Sequence, residues 1–564
     1  MPGAGLVAWR AWRLARPLRW LALAPVSYAA VVAARHLDFV YVAQLERYKS
    51  DRLRRWILGH WRIVLDPEGA VVQAAVLTVG LALAALEWPA VWFYLVWMAS
   101  GLWLAARRSS LQVSQRLQLT RRAVRLTTLT VILAVCVVLG VAMVATGASA
   151  HALAISPTYA VAIGLGAGLA IASEVAAGTV LLANLILSPT ERRIYRRFLA
   201  QAARRMRTYP GQVIGITGSY GKTTTKFIMA ALLQGRYQVL KTPDGVNTTM
   251  GISRVVREDL RDDHRFFVVE VAAYAPGEIR EVCDLLRPRM GVLTAVGVQH
   301  LERFGTSERI AEAKYELIVA LPPDGVAIIN ADDAGCMRLA DRARREGRRV
   351  LLYGVGEDQR SLDVRGSRIR LSSRGSSFHI ETPAGAAELE TRLLGSRTVG
   401  NILGAAAAAL ECGVPLDEIR AGVSALTPPP KRLEVREEGG VVKLIDVANA
   451  NPLGAEMALE VLSQFEGGAK ILITPGLVEL GTIETEENRR LGRAAAKVCD
   501  YVVLVGAART RPLREGLRDG GFSESRVLVA RHSDDVANCL KEIVREGDIL
   551  LYENRLPDTY LEPS

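Results

Sequence analysis

Four stretches before residue 190 are almost free of charge: Ala70–Leu86, Ala90–Ala106, Leu126–Ala148 and residues 152–188, where Glu174 alone interrupts the run. Spans of this length match the hydrocarbon core of a bilayer, about 30 Å or some 20 helical residues. The first two, joined by Glu87-Trp88-Pro89, read as a transmembrane hairpin. The last is too long for one upright span. At about 1.5 Å per residue it would reach roughly 55 Å. It reads as a long tilted helix, a helix with a re-entrant segment near Gly164, Gly166 and Gly168, or two helices. Four crossings are the preferred count. Residues 18–37, broken by Pro25 and Arg35, read as an interfacial helix rather than a cleaved leader.

Charge follows the same division. Residues 1–207 carry 24 Lys and Arg against 8 Asp and Glu, whereas the remainder carries 46 against 50. A basic excess confined to the apolar part points to an anionic membrane surface. No basic recognition helix or aromatic-interleaved patch supports a nucleic-acid partner. The Arg-rich segments 10–62, 107–125 and 192–207 should all face the cytoplasm. Glu174 is a functional candidate by its position, unless it lies near the outer interface or pairs within the bundle. Six scattered cysteines with no CxxC suit a reducing compartment and argue against a zinc ribbon.

From Gln212 the texture changes. Short β-branched runs at 212–217, 266–270, 291–294, 326–330, 470–474 and 501–505 alternate with amphipathic stretches. This pattern predicts parallel sheets covered by helices, an α/β fold. Alternating apolar positions over 362–394 predict antiparallel strands. The first strand runs into Gly218-Ser219-Tyr220-Gly221-Lys222-Thr223-Thr224-Thr225. Glycines that let backbone N–H groups approach phosphate oxygens, followed by a helix N-terminus, make a phosphate loop. Lys222 would reach the β- and γ-phosphates and Thr223 would bind Mg²⁺. The strict GxxxxGK[ST] pattern fails, because Ile216 stands at its first glycine.

The loop and the motifs after it resemble the Mur ligase family, nearest to its D-alanyl-D-alanine-adding branch. The likeness spans residues 213–506. It runs through Thr242-Pro243 with Asn247-Thr248-Thr249-Met250-Gly251, Val268-Val269-Glu270, Gln299-His300-Leu301-Glu302-Arg303, Ala313-Lys314-Tyr315-Glu316, Asn330-Ala331-Asp332-Asp333, Gly400-Asn401-Ile402, Asp446 with Asn449-Ala450-Asn451-Pro452, and Glu479-Leu480-Gly481. The resemblance implies an ATP-dependent carboxylate–amine ligase with an N-terminal membrane region (1–206), a central ATP-binding domain (207–428) and a Rossmann-like α/β C-terminal domain (429–564). It implies an acyl-phosphate intermediate, made from a carboxylate and ATP and then attacked by an amine. Gly218, Ser219, Gly221, Lys222, Thr223, Thr224, Asn401 and Asp446 would hold the nucleotide. Thr223 and Glu270 would hold one Mg²⁺, and His300 with Lys314 a second. Lys314 matches the lysine that family members carbamylate, and Arg432 a phosphate-facing arginine. The partners implied are a small-molecule or lipid-linked peptide acceptor and an amino-acid or dipeptide donor. The place implied is the cytoplasmic side of a bacterial-type inner membrane.

The chain also departs from the family pattern. No UDP-binding domain precedes the loop. Arg397-Thr398 stand where the family has His-Asn. The paired aspartates and tyrosine of the last domain read Ile445-Asp446-Val447-Ala448, which leaves one acid. A ligase for another polymer, such as capsular poly-γ-glutamate, and a non-catalytic ATP-binding membrane scaffold are the alternatives.

Overall fold

A computed structural model describes residues 23–107, 117–152, 155–297, 301–356, 361–448, 451–532 and 535–556. The chain divides into two compact units, one up to Ile194 and one spanning Tyr195–Leu556.

The first unit is helical. Three of its helices are long and apolar enough to cross a membrane: Pro25–Leu45, Pro67–Ala85 and Arg121–His151. A fourth candidate is a bent pair, Pro157–Glu174 and Ala176–Thr208, which meet at 68°. Val91–Ala106 is apolar but shorter. Tyr28, Val76, Phe93, Trp97, Tyr159 and Ile163 form one core, with Phe93 and Trp97 stacked at 5.8 Å.

Leu23–Leu45 form one unbroken helix that runs through Pro25 and Arg35. Pro25 falls in its first turn, where a missing N–H costs nothing. Arg35 is satisfied by the Val64 carbonyl at 2.6 Å and by Asp66 and Glu174, each at 3.7 Å. Of the three readings of residues 152–188, the two-helix one matches the structure: Pro157–Glu174 and Ala176–Thr208 meet at Val175, not at the glycines. Gly164 and Gly168 lie inside a regular helix, packed against Arg121–Ala152. A Cβ on Gly164 would meet the Ala142 carbonyl oxygen at 2.7 Å, and one on Gly168 the Val138 carbonyl oxygen at 2.5 Å. Small residues four apart thus let the two backbones touch. Glu174, at the break, also accepts the Asp66 N–H at 3.2 Å. It pairs within the bundle.

The second unit holds two sheets. The first comprises β1 (Gln212–Thr217), β2 (Val239–Lys241), β3 (Phe266–Glu270), β4 (Met290–Leu293), β5 (Val326–Asn330), β6 (Arg349–Val355), β7 (Val364–Ser372), β8 (Gly375–Thr382) and β9 (Gly385–Thr391). Their spatial order is β2-β3-β1-β4-β5-β6-β7-β8-β9. Pairing is parallel from β2 to β7, and antiparallel among β7, β8 and β9, as the alternating pattern predicts. Successive strand residues serve opposite faces. Ile214, Ile216 and Val268 pack under helices Lys222–Gln234 and Ser396–Glu411. Val213, Phe267 and Val269 pack under Thr249–Glu258, Glu278–Leu286 and Ser307–Val319. With both faces covered, the strands read as continuous apolar runs.

The second sheet comprises β10 (Glu434–Glu438), β11 (Val441–Asp446), β12 (Lys470–Thr474), β13 (Tyr501–Val505), β14 (Val527–Ala530) and β15 (Ile549–Glu553), ordered β10-β11-β15-β12-β13-β14. Only β10–β11 is antiparallel. The α/β architecture expected from the sequence is the one the chain adopts.

Candidate active site

β1 lies between β3 and β4, so its C-terminal end opens into the crevice where open parallel sheets bind ligands. The turn that leaves it is held in shape by its neighbours. Gly218 (φ +151°) and Gly221 (φ +79°) adopt left-handed backbone, and a Cβ on Gly218 would come within 2.9 Å of the Ala295 nitrogen. The Ser219 N–H donates to the Ala295 carbonyl at 2.8 Å, and its hydroxyl to the Gly297 carbonyl at 2.9 Å. Ser219, expected at the nucleotide, staples the loop to the segment that follows β4. The Lys222 ammonium donates to the carbonyls of Gly218 (2.7 Å) and Ser219 (3.1 Å). Burial pushes its pKa down to about 8; Glu270 opposes this and Arg432 adds to it.

Glu270 ends β3 and is 2% exposed. Its Oε2 accepts the Thr223 hydroxyl at 2.8 Å and the Lys226 ammonium at 3.2 Å; its Oε1 accepts Asn247 Nδ2 at 3.2 Å. Burial alone would raise its pKa, but Lys222, Lys226 and these hydrogen bonds hold it below the ordinary carboxylate value. Arg432 reaches in from the segment before β10 and donates Nη2 to the Thr223 hydroxyl at 3.0 Å and Nη1 to the Ala448 carbonyl at 3.3 Å. Asn401, on helix Ser396–Glu411, accepts from Thr225 at 3.3 Å and backs Gly221. Lys314, on helix Ser307–Val319, is 3% exposed. Burial and the nearby Lys222 push its pKa down to about 7, against Glu316. Its neighbour Glu316 caps the helix at Glu278–Leu286, accepting the N–H groups of Gly277 (2.5 Å) and Arg280 (2.9 Å). The Asn330-Ala331-Asp332-Asp333 motif shapes the turn after β5 and also lines the cavity described below. Asn330 ties to the Thr294 carbonyl at 2.8 Å, and Asp333 caps the next helix through the Cys336 N–H at 2.8 Å.

Thr224, Asn401, Arg432 and Asp446 all line a cavity of about 470 Å³, together with Gly221 and Glu553. The structure thus brings Lys222, Thr223, Glu270 and Arg432 together, and places Asn401 and Asp446 on the same cavity. Lys314 faces Lys222. His300 lies outside the described residues, as do Gln299, Asn449 and Ala450.

Matching domains occupy most of this unit. Residues 216–409 match the Mur ligase middle domain, and residues 431–552 the glutamate ligase domain of Mur ligases. The chain is 31% identical over 363 residues to the UDP-N-acetylmuramoyl-tripeptide–D-alanyl-D-alanine ligase of Mycobacterium leprae (strain TN), covering 60% of this chain and 70% of that protein. The chain belongs to the Mur ligase family. Its relative of the same name in Escherichia coli (strain K12) is 30% identical over 299 residues, covering 53% of this chain and 65% of that one. Among solved structures, MurF from Acinetobacter baumannii matches at a TM-score of 0.57 and 26% identity, covering 64% of this chain and 78% of that one. MurF from Thermotoga maritima in complex with ADP matches at 0.56 and 26%, covering 65% and 81%.

The residues of this Mur ligase fit a magnesium nucleotide. The two loop glycines leave a cradle that side chains would fill. Thr223 and Glu270 offer two hard oxygen donors 2.8 Å apart. Among the described residues no group of three or more His, Cys, Asp or Glu could hold a metal alone. A Mg²⁺ held here would take these two oxygens together with phosphate oxygens and water.

Two site residues were missed in the sequence. Lys226 is fully buried against Glu270, and the only signal was a cation four residues after Lys222, one helical turn on. Glu553 pairs in register with Asp446 across β11 and β15, so the last domain keeps two acids rather than one. The apolar run Ile549-Leu550-Leu551-Tyr552 marked the strand that carries it.

Proposed function

We propose that this Mur ligase is a membrane-anchored amide ligase of the D-alanyl-D-alanine-adding type, working through an acyl phosphate with release of ADP and phosphate. The observation that carries the reading is the Arg432–Thr223–Glu270 chain of hydrogen bonds. It joins an arginine of the last domain to the phosphate loop of the central one. Mg²⁺ held by Thr223 and Glu270 would supply charge neutralisation at the phosphates. Lys222 and Arg432 hold the phosphates from two sides, in a buried setting where each charge acts more strongly than in water. Glu270 fixes the Thr223 hydroxyl, and Lys226 fixes Glu270. The lowered Lys314 pKa leaves much of its amine neutral near pH 7, the form that reacts with CO₂, so carbamylation to an anion beside Lys222 is part of the proposal. His300 belongs to the same proposed set, beside the second metal.

Residues 1–206 form the proposed membrane and juxtamembrane region, 207–428 the central domain and 429–564 the C-terminal domain. In this reading the helices starting at Pro67, Val91 and Arg121 and the bent pair starting at Pro157 supply four crossings. The helix Leu23–Leu45 is kept at the interface although it is long enough to span, and Val91–Ala106 crosses although it is short. Four crossings keep the Arg-rich segments on the cytoplasmic side with the ligase domains. Turnover is read as ADP release by the full-length protein. UDP-muramoyl tripeptide or its lipid-linked form serves as acceptor and D-alanyl-D-alanine as donor, with Lys222→Ala as control. Release that needs both substrates supports the reading, and a lipid-linked preference gives the helices a substrate role. Release with glutamate alone, or none with any pair despite ADP binding, defeats it.

A further inference from the structure

The C-terminal domain touches the central domain at a second place besides Arg432 and Thr223. Arg303 donates from Nη2 to Glu479 Oε1 at 3.3 Å, with the two side chains 28% and 13% exposed. The Glu302 N–H donates to the Glu479 carbonyl at 3.5 Å, and a Cβ on Gly481 would meet the Glu302 Cα at 3.4 Å. The Arg303 guanidinium also lies over the Tyr274 ring at 4.9 Å, in the segment that follows Glu270. Phe304 is buried and anchors the short helix Leu301–Phe304 in the core of the central domain.

Glu479 has left-handed backbone, at φ +65°. That conformation costs free energy for any residue with a Cβ, whereas glycine adopts it freely. A strained residue of this kind points to a task for its side chain. The Glu479 carboxylate reaches Arg303 in the other domain. The two interdomain contacts leave the same edge of the second sheet. Arg432 precedes β10, whose first residue Glu434 pairs with Ile445 near the end of β11, and Glu479 follows β12. β10 and β12 stand three places apart in that sheet, about 14 Å at the usual strand spacing. A single contact would let the domain swing about it; a second one this far off stops the swing. A partly exposed ion pair suits a contact that must also open, because both partners return to water at little cost.

We propose that Arg303 and Glu479 are positioning residues for the ligase reaction: a clasp that fixes the C-terminal domain against rotation about the Arg432–Thr223 contact. The inference rests on the ligase reading above. The clasp touches neither nucleotide nor metal. It sets the distance between groups that the two domains bring to one reaction, so it acts on kcat and leaves nucleotide affinity alone.

The test uses the full-length protein in detergent. Arg303→Ala and Glu479→Gly should each cut kcat for ADP release at least tenfold, with ADP affinity within twofold of wild type. Glu479→Gly is the decisive variant. It relieves the left-handed backbone while it removes the carboxylate, so a purely structural role predicts turnover as good as wild type, and that result overturns the clasp. The charge reversals Arg303→Glu and Glu479→Arg should each be as poor, and combining them should raise kcat at least fivefold above either alone. A double variant no better than the singles overturns the pairing, as does a loss of ADP affinity that parallels the loss of kcat. Amide hydrogen exchange with saturating Mg-ADP reads the contact without acceptor or donor. Segments 301–306 and 477–484 should both exchange at least tenfold faster in Arg303→Ala than in wild type; equal exchange overturns the clasp while the ligase reading stands. If the wild type turns over no acceptor–donor pair, the ligase reading falls, and the positioning role falls with it.

Discussion

Replacing Lys226 by Met tests whether the centre of the site is held by charge. Lys226 and Glu270 are 3.2 Å apart, with side chains 0% and 3% exposed. Removing one partner of a buried ion pair costs about 3–5 kcal/mol, because the other charge is left uncompensated. Glu270 would keep Lys222 nearby and the hydrogen bonds from Thr223 and Asn247, so the lower end applies, about 3 kcal/mol. For domains of this size 1 kcal/mol moves Tm by about 2–4 °C, which predicts a fall of about 6–12 °C. All nine tryptophans lie at or before residue 103, so tryptophan emission is blind to the Tyr195–Leu556 unit. Brief thermolysin challenge along a temperature ramp, with a C-terminal tag as readout, follows that unit directly. Glu270→Gln added to Lys226→Met should recover at least half of the loss, since it removes the stranded charge. A fall below about 2 °C, far under the worth of a buried pair, would refute the reasoning. So would a double variant no better than the single one.

Other expectations are as direct. Arg432→Ala should cut ADP release on the order of 10²-fold, the usual worth of one preorganised group at developing charge; steady-state kinetics decide it. Asp446→Ala should keep ATP binding and lose turnover, and unchanged turnover would remove it from the site. Lys314 titrates near 7 in the folded chain, against about 10.4 in the unfolded one. Between those values the unfolded chain binds more protons, so stability rises with pH. Relative to Lys314→Met, the wild type should gain about 2 kcal/mol between pH 7 and 9, read from urea midpoints in bicarbonate-free buffer. Glu174→Gln should shift tryptophan-monitored unfolding of the first unit by about 1 kcal/mol or less, since its contacts with Arg35 are 3.7 Å long.

Much of this was legible in the sequence because it was local. The phosphate loop is one βα turn, and the buried strands announce themselves as short β-branched runs. The pairing of sheet edges is not local. Glu553 sits 107 residues after Asp446, and only the crossover that sets β15 beside β11 makes them neighbours. Lys226 was invisible for another reason. A lysine in the first turns of a helix is normally solvated, and nothing in its own segment shows that the end of β3 will bury it. Two helices were among the readings of residues 152–188, but their junction at Val175 was not legible, because the glycines stood out as the flexible points. Here they serve close packing, and the break sits where Glu174 can reach Arg35 and the Asp66 N–H.

The arrangement of charge gives the two soluble domains separate tasks. The central domain contributes the cations Lys222, Lys226 and Lys314, with the buried carboxylate Glu270 beside the first two and Glu316 near the third. That sign suits phosphates and a metal that bridges them. The C-terminal domain contributes one arginine that crosses to Thr223 and two acids that do not. An enzyme that must hold two anions and one cation in a single cavity needs such a separation, because like charges set side by side would each repel one reactant. Arg432 is the residue where the two fields meet: it donates to the Thr223 hydroxyl at the phosphate loop and acts electrostatically on Asp446. Reversing its charge with Arg432→Glu should therefore harm the ligase more than Arg432→Ala does. It removes a phosphate contact and also sets a third carboxylate against Asp446 and Glu553. If the two variants lose turnover equally, Arg432 acts on the phosphates alone, and the acids answer to some other charge.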